Sequence, residues 1–284
     1  MLAITTATVL AQAVGVWLTG SLALVADTVE KTIDLAALVL ALVVEALILR
    51  PATSARSWGM RRLEVIAGAV RAAITVGLGV FVVLEGITRL RDAPEVMSRE
   101  LLVFGLIGLL ANVIKVLVLK GTASSSFHMR SLILDVWNDT LGSIGIIVAA
   151  IIMRFTGGNL ADVVVGMVIA AFIIPRAWRL LSETINVLME GTPPGLDVDG
   201  LRGRLLEVPG VRAVHDLHAS MISGDTTQLT AHIVADDSAF TDGRAEAVLD
   251  GLETVAADSQ YAITHTTFQI ESAAHNRHEA THAH

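Results

Sequence analysis

Four ionisable residues crowd into nine positions of a stretch that otherwise reads as membrane-length apolar sequence. Residues 21–49 are almost uninterruptedly hydrophobic, yet residues 26–34 (ADTVEKTID) carry Asp27, Glu30, Lys31 and Asp34. Charge at bilayer depth is expensive, and where it persists it marks an ion pathway or a buried pair. Glu30 and Asp34 stand four apart, so on a helix their carboxylates project from one face, one turn apart. The same spacing recurs at Asp135 and Asp139 in a second apolar run. Two such pairs facing each other make one divalent-cation site, and this arrangement constrains everything else the chain can do.

The surrounding pattern is that of a membrane protein. Of 284 residues, 53% are hydrophobic and only 17% charged, outside the norm for a soluble domain. Apolar spans are predicted over residues 1–19, from the Gly20-Ser21 turn to about 49, and over roughly 63–88, 100–119, 130–153 and 161–181. Six spans put both termini on one side. Arg50, Arg56, Arg61, Arg62, Lys120, Arg130, Arg176 and Arg179 flank one side, against Arg89, Arg91, Arg99 and Arg154 on the other. The excess of positive charge predicts cytoplasmic termini in a multi-pass protein of the cell membrane.

After the linker at residues 190–195 (EGTPPG) the pattern changes to that of a small soluble domain. A helix over 197–207, strands over 211–221 and 228–235, a helix over 243–257 and a strand over 261–270 follow in the order αββαβ. That order predicts a ferredoxin-like two-layer sandwich. The fold class is therefore an all-α six-helix transmembrane bundle (1–190) with a C-terminal cytosolic α/β ferredoxin-like domain (191–271). A polar, histidine-rich tail over 272–284 reads as disordered. Residues 191–284 hold 5 Lys+Arg against 14 Asp+Glu, which argues against nucleic acid as a partner. The absence of cysteine excludes disulfides and thiol chemistry. With no nucleophile–base set and no nucleotide loop, an enzyme is not expected, and no cofactor is implied.

In order and spacing, several stretches resemble the cation diffusion facilitator transporters: TGSLALVAD at 19–27, RRLEVIAG at 61–68, DTLGSIGIIVAA at 139–150, LLSETINVLMEGTP at 180–193, PGVRAVHDLH at 209–218, LTAHIVAD at 229–236 and HTTFQIE at 265–271. The resemblance implies six transmembrane helices, a cytosolic metallochaperone-like domain, a homodimer in the lipid bilayer, and export of a divalent metal in exchange for protons. It places the transport site on Glu30, Asp34, Asp135 and Asp139. It also implies metal binding at His215, His232 and His265, which lie on three predicted strands, and a charge pair between Arg62 and Glu190 joining the membrane and cytosolic parts. The chain departs from zinc-transporting members by having Asp135 where they have histidine, and Glu30 where many of them do.

Four carboxylates and no imidazole make an all-oxygen site, which favours Mn²⁺ or Fe²⁺ while leaving Zn²⁺ possible. Clustered carboxylates also hold exchangeable protons that metal binding displaces. The opposing reading is an ion-pair network in which Lys31 neutralises Asp27 or Asp34. One lysine cannot neutralise Asp27, Glu30, Asp34, Asp135 and Asp139 together. Arg71, in the middle of the third span, either balances the carboxylates or pairs with Glu85 or another helix, whereas Asn112 and Asn138 suit helix–helix hydrogen bonds. Two other functions remain: a non-transporting metal sensor acting through the histidine-bearing domain, or exchange of a monovalent cation for protons.

Overall fold

The computed structural model describes residues 2–121, 127–224, 226–257 and 263–277, with the side chains of 120–121 and 127–135 left aside. Six long helices come first: α1 (Leu2–Thr19), α2 (Leu22–Ile48), α3 (Arg62–Arg89), α4 (Ser98–Gly121), α5 (Phe127–Thr156) and α6 (Leu160–Leu188). Five of them are long and apolar enough to cross a membrane. The sixth, α2, has 27 residues and at 1.5 Å per residue spans about 40 Å; only its charges set it apart. Bulky apolar side chains such as Trp17, Leu42, Leu84, Phe155 and Phe172 point outward, as the lipid-facing surface of a bundle requires.

The start of α2 is held from two directions. Gly20 adopts φ 65°, a conformation open to glycine, and lets the chain reverse after α1. Ser21 then caps α2, its Oγ accepting from the Leu24 N–H at 3.0 Å. Asp162 of α6, 0% exposed, accepts from the Ser21 hydroxyl and from the backbone N–H groups of Leu22 (2.7 Å) and Ala23 (3.3 Å). One turn on, a Cβ at Gly166 would lie 3.0 Å from the Ala23 nitrogen and 3.1 Å from the Leu22 carbonyl carbon. The small residue is what lets the α6 backbone come this close to the α2 start.

The chain divides into two compact units, residues 1–47 with 67–181 and residues 48–66 with 182–284. The division differs from a cut at 190: the α2–α3 connection and the last turns of α6 group with the C-terminal part. In that part, α7 (Val198–Leu206), β1 (Val211–Ser223), β2 (Thr226–Ala235), α9 (Ala245–Ala257) and β3 (Ile263–Ser272) follow the predicted αββαβ order, with a short α8 (Asp237–Thr241) inserted. Asp197 caps α7, as its place before the apolar pattern predicts. The sheet has the order β1-β2-β3, β1 antiparallel and β3 parallel to the central β2. Leu201, Leu205, Val248 and Leu252 of the helices pack on Leu217, Leu229, Ala231 and Ile233 of one sheet face. Alternation then puts His232, Gln269 and Glu271 on the other face. The segment expected to be disordered from 272 instead continues β3 to Ser272, whose Oγ accepts from the His275 N–H at 3.2 Å and opens α10 (Ala273–Asn276). His278, His282 and His284 of the tail lie outside the described residues.

Candidate metal sites

The carboxylates of α2 and α5 are not left to repel one another. Asp27, almost wholly buried, pairs with Lys31 one turn later, and Gln12 Nε2 of α1 donates to the same Asp27 oxygen at 2.7 Å. Asp34 Oδ1 is engaged by Arg71 of α3. Asp139 Oδ2 lies 3.3 Å from Lys115 Nζ of α4. Glu30 alone of these four carboxylates has no ion pair among the described residues, and it lines a cavity of about 20 Å³ with Ala26, Ile33, Thr75, Gly79 and Ala170, room for roughly one water. Glu30 nonetheless lies within the field of Asp139 of α5 and of Asp34 and Asp27 on its own helix. The side chain of Asp135 lies outside the described residues.

Arg71 thus takes Asp34 rather than Glu85; Glu85 Oε1 instead accepts from Arg89 Nε at 2.8 Å. Of the two partners open to Lys31, Asp27 and Asp34, it pairs with Asp27. Lys115 was not anticipated, although a lone lysine in the apolar run 101–119 is itself an intramembrane charge and was visible as one. Asn112 Nδ2 donates to Ser143 Oγ across α4 and α5 at 3.3 Å, the interhelical role expected of it, whereas Asn138 is exposed.

In the second unit, His215, His232 and Glu271 each offer a ligand atom, all within 4.8 Å of one another. His215 Nε2 stands 2.5 Å from Glu271 Oε1, and the two imidazoles meet edge-on at 5.2 Å. Asp216 adds a carboxylate from the β1 bulge, 2.9 Å from His218 Nε2 and 3.7 Å from His232 Nε2. Glu271 Oε2 is buried with no hydrogen-bond partner, and His275 Nε2 stands 3.8 Å from it. Two imidazoles and a carboxylate form a donor set apt for zinc.

His265 does not join them, a correction to the expected trio. Along the parallel register it lies opposite Gln228, while His232 faces Gln269. Four residues of strand separate the two rungs, about 13 Å, and His265 instead meets Trp58 edge-on at 4.9 Å. Glu271 takes the third place. The expected charge pair is formed within the second unit: Arg62 Nη2 donates to Glu190 Oε1 at 2.8 Å.

Two family models match, "Cation efflux transmembrane domain" over residues 1–189 and "Cation efflux protein, cytoplasmic domain" over residues 193–273. Among curated relatives, the metal cation efflux system protein CzcD of Cupriavidus metallidurans is 36% identical over 96% of this chain and 85% of its own length. The zinc transporter ZitB of Shigella flexneri is 34% identical over 94% and 84%. A cadmium, cobalt and zinc/H(+)-K(+) antiporter of Bacillus velezensis is 32% identical over 93% and 84%. With its transmembrane carboxylates, its αββαβ domain and both family models matched nearly end to end, this chain is a multi-pass membrane protein and belongs to the cation diffusion facilitator family of metal transporters.

Proposed function

We propose that the protein exports a divalent metal cation from the cytoplasm in exchange for protons, and that Glu30, Asp34, Asp135 and Asp139 carry the ion between α2 and α5. The observation that supports this most is the pair of four-residue carboxylate spacings on two apolar helices, with Glu30 in the field of Asp139. Alternating exposure of a site near the middle of the bundle moves the ion, and the same oxygens take up protons when the metal leaves. The relatives named for zinc, cobalt and cadmium make a divalent metal the natural cargo. Because this donor set has no imidazole, Mn²⁺ and Fe²⁺ gain relative to Zn²⁺.

His215, His232 and Glu271 form a regulatory site in the cytosolic domain, and the protein works as a homodimer with both termini cytoplasmic. Arg62 and Glu190 tie α3 to the segment after α6. Reconstituted protein tests the central claim: uptake of Mn²⁺, Fe²⁺, Zn²⁺ and Co²⁺ into proteoliposomes under an imposed pH gradient. Asp139→Ala abolishes uptake if the carboxylates carry the ion; unchanged uptake means they do not. Faster Zn²⁺ than Mn²⁺ transport removes the hard-cation preference and leaves the transport reading in place.

A further inference from the structure

Two of the proposed ligand carboxylates are already engaged by fixed cations of neighbouring helices, and these cations have no place in a simple ligand set. Lys115 is 4% exposed and is the one charge in the apolar run 101–119 of α4. Its ammonium is directed at Asp139 Oδ2. Arg71 of α3 does the same for Asp34 Oδ1. Asp27 has its own partner in Lys31, so of Asp27, Glu30, Asp34 and Asp139 only Glu30 is left without an ion pair among the described residues. An oxygen engaged by an ammonium or guanidinium is a poorer metal ligand, since the same lone pairs and the same charge serve both. The only three ligand-type side chains with donor atoms all within 4.8 Å, among the described residues, are those of the cytosolic domain.

We propose that Lys115 and Arg71 are tethered counter-cations that compete with the transported metal for Asp139 and Asp34, holding affinity low enough for the ion to be released. This rests on the reading of the α2 and α5 carboxylates as the carrying site. The charge arithmetic favours such competition. At the Asp139 and Asp34 oxygens a divalent ion replaces the two single charges of Lys115 and Arg71, while the tethers stay in the protein and the carboxylates remain the groups that exchange protons for the metal. Glu30, unpaired, is the first oxygen open to an arriving ion, and Asp34 and Asp139 follow as their tethers yield. In reverse, the returning tethers help to expel the ion. The two cations are positioning residues and do not touch the ion.

The test uses the full-length protein in proteoliposomes, with Mn²⁺ and Zn²⁺ as the ions and both KM and maximal rate measured. Lys115→Met lowers the apparent KM, by roughly tenfold for loss of one charge-assisted pair, and lowers the maximal rate because release slows. Lys115→Arg, which keeps the charge, retains both parameters. Arg71→Gln, at a half-exposed pair that folding tolerates more readily, shifts KM in the same direction. A merely structural pair predicts the opposite signature, a reduced rate with KM unchanged or raised. That result in both Lys115→Met and Arg71→Gln overturns the proposal, as does identical behaviour of the Met and Arg variants at 115. Unaltered transport by Asp139→Asn is a separate outcome: it removes the carrying site itself.

Discussion

Asp162 shows how one side chain can organise a transmembrane helix it does not belong to. Three donors at the start of α2 converge on its carboxylate, doing from α6 what a cap normally does from within the same helix. Asp162→Ala therefore strands buried backbone N–H groups and is expected to destabilise the protein by about 2 kcal/mol, read as a lowered midpoint in a thermal-unfolding assay in detergent. In the sheet, Glu271 and His265 separate the same way by substitution. Glu271→Ala is expected to weaken Zn²⁺ binding to the proposed His215–His232–Glu271 site by at least tenfold, measured by calorimetry on an Asp139→Asn background. His265→Ala leaves that binding unchanged, because its ring sits against Trp58. Metal binding equally weakened by both would mean that the ligand trio includes His265 after all.

The helices and strands were legible as elements because burial imposes a period. Apolar runs of membrane length and a two-residue alternation in the C-terminal domain were enough to place α1–α6 and the αββαβ order. What the periods leave open is register and contact. His265, Thr267, Gln269 and Glu271 share one side of β3 by alternation, and nothing local says which of them meets His232. The parallel pairing of β2 with β3 decides it. The helices behave alike: Lys115 and Asp162 were visible as charges in apolar runs, but their partners lie on α5 and α2, and only packing reveals them. Gly166 makes the point for size. Its replacement by Val puts a side chain against the Leu22 and Ala23 backbone, with an expected cost of about 1–3 kcal/mol and a loss of folded protein on size-exclusion chromatography.

At the scale of the whole molecule, the role proposed for the Arg62–Glu190 pair in coupling the soluble part to transport can be tested by charge reversal. Both side chains are well exposed, and an exposed pair contributes little stability, roughly 0–1 kcal/mol. An effect of breaking it is therefore expected in transport more than in unfolding. Arg62→Glu lowers uptake, and Arg62→Glu with Glu190→Arg restores it; failure of the double variant to recover removes the pair's coupling role.

By itself, the sequence determined that this is a charged-site membrane bundle followed by a soluble αββαβ domain. Hydrophobic length and periodicity are properties of each segment, and the cost of placing charge in lipid makes Glu30, Asp34, Asp135 and Asp139 conspicuous wherever they stand. Tertiary structure alone decided which cation meets which carboxylate, that Glu271 rather than His265 completes the histidine cluster, and that α6 caps α2. Those outcomes depend on distances between segments far apart in the chain, and a cation such as Lys115 acquires its partner only when two helices are packed side by side.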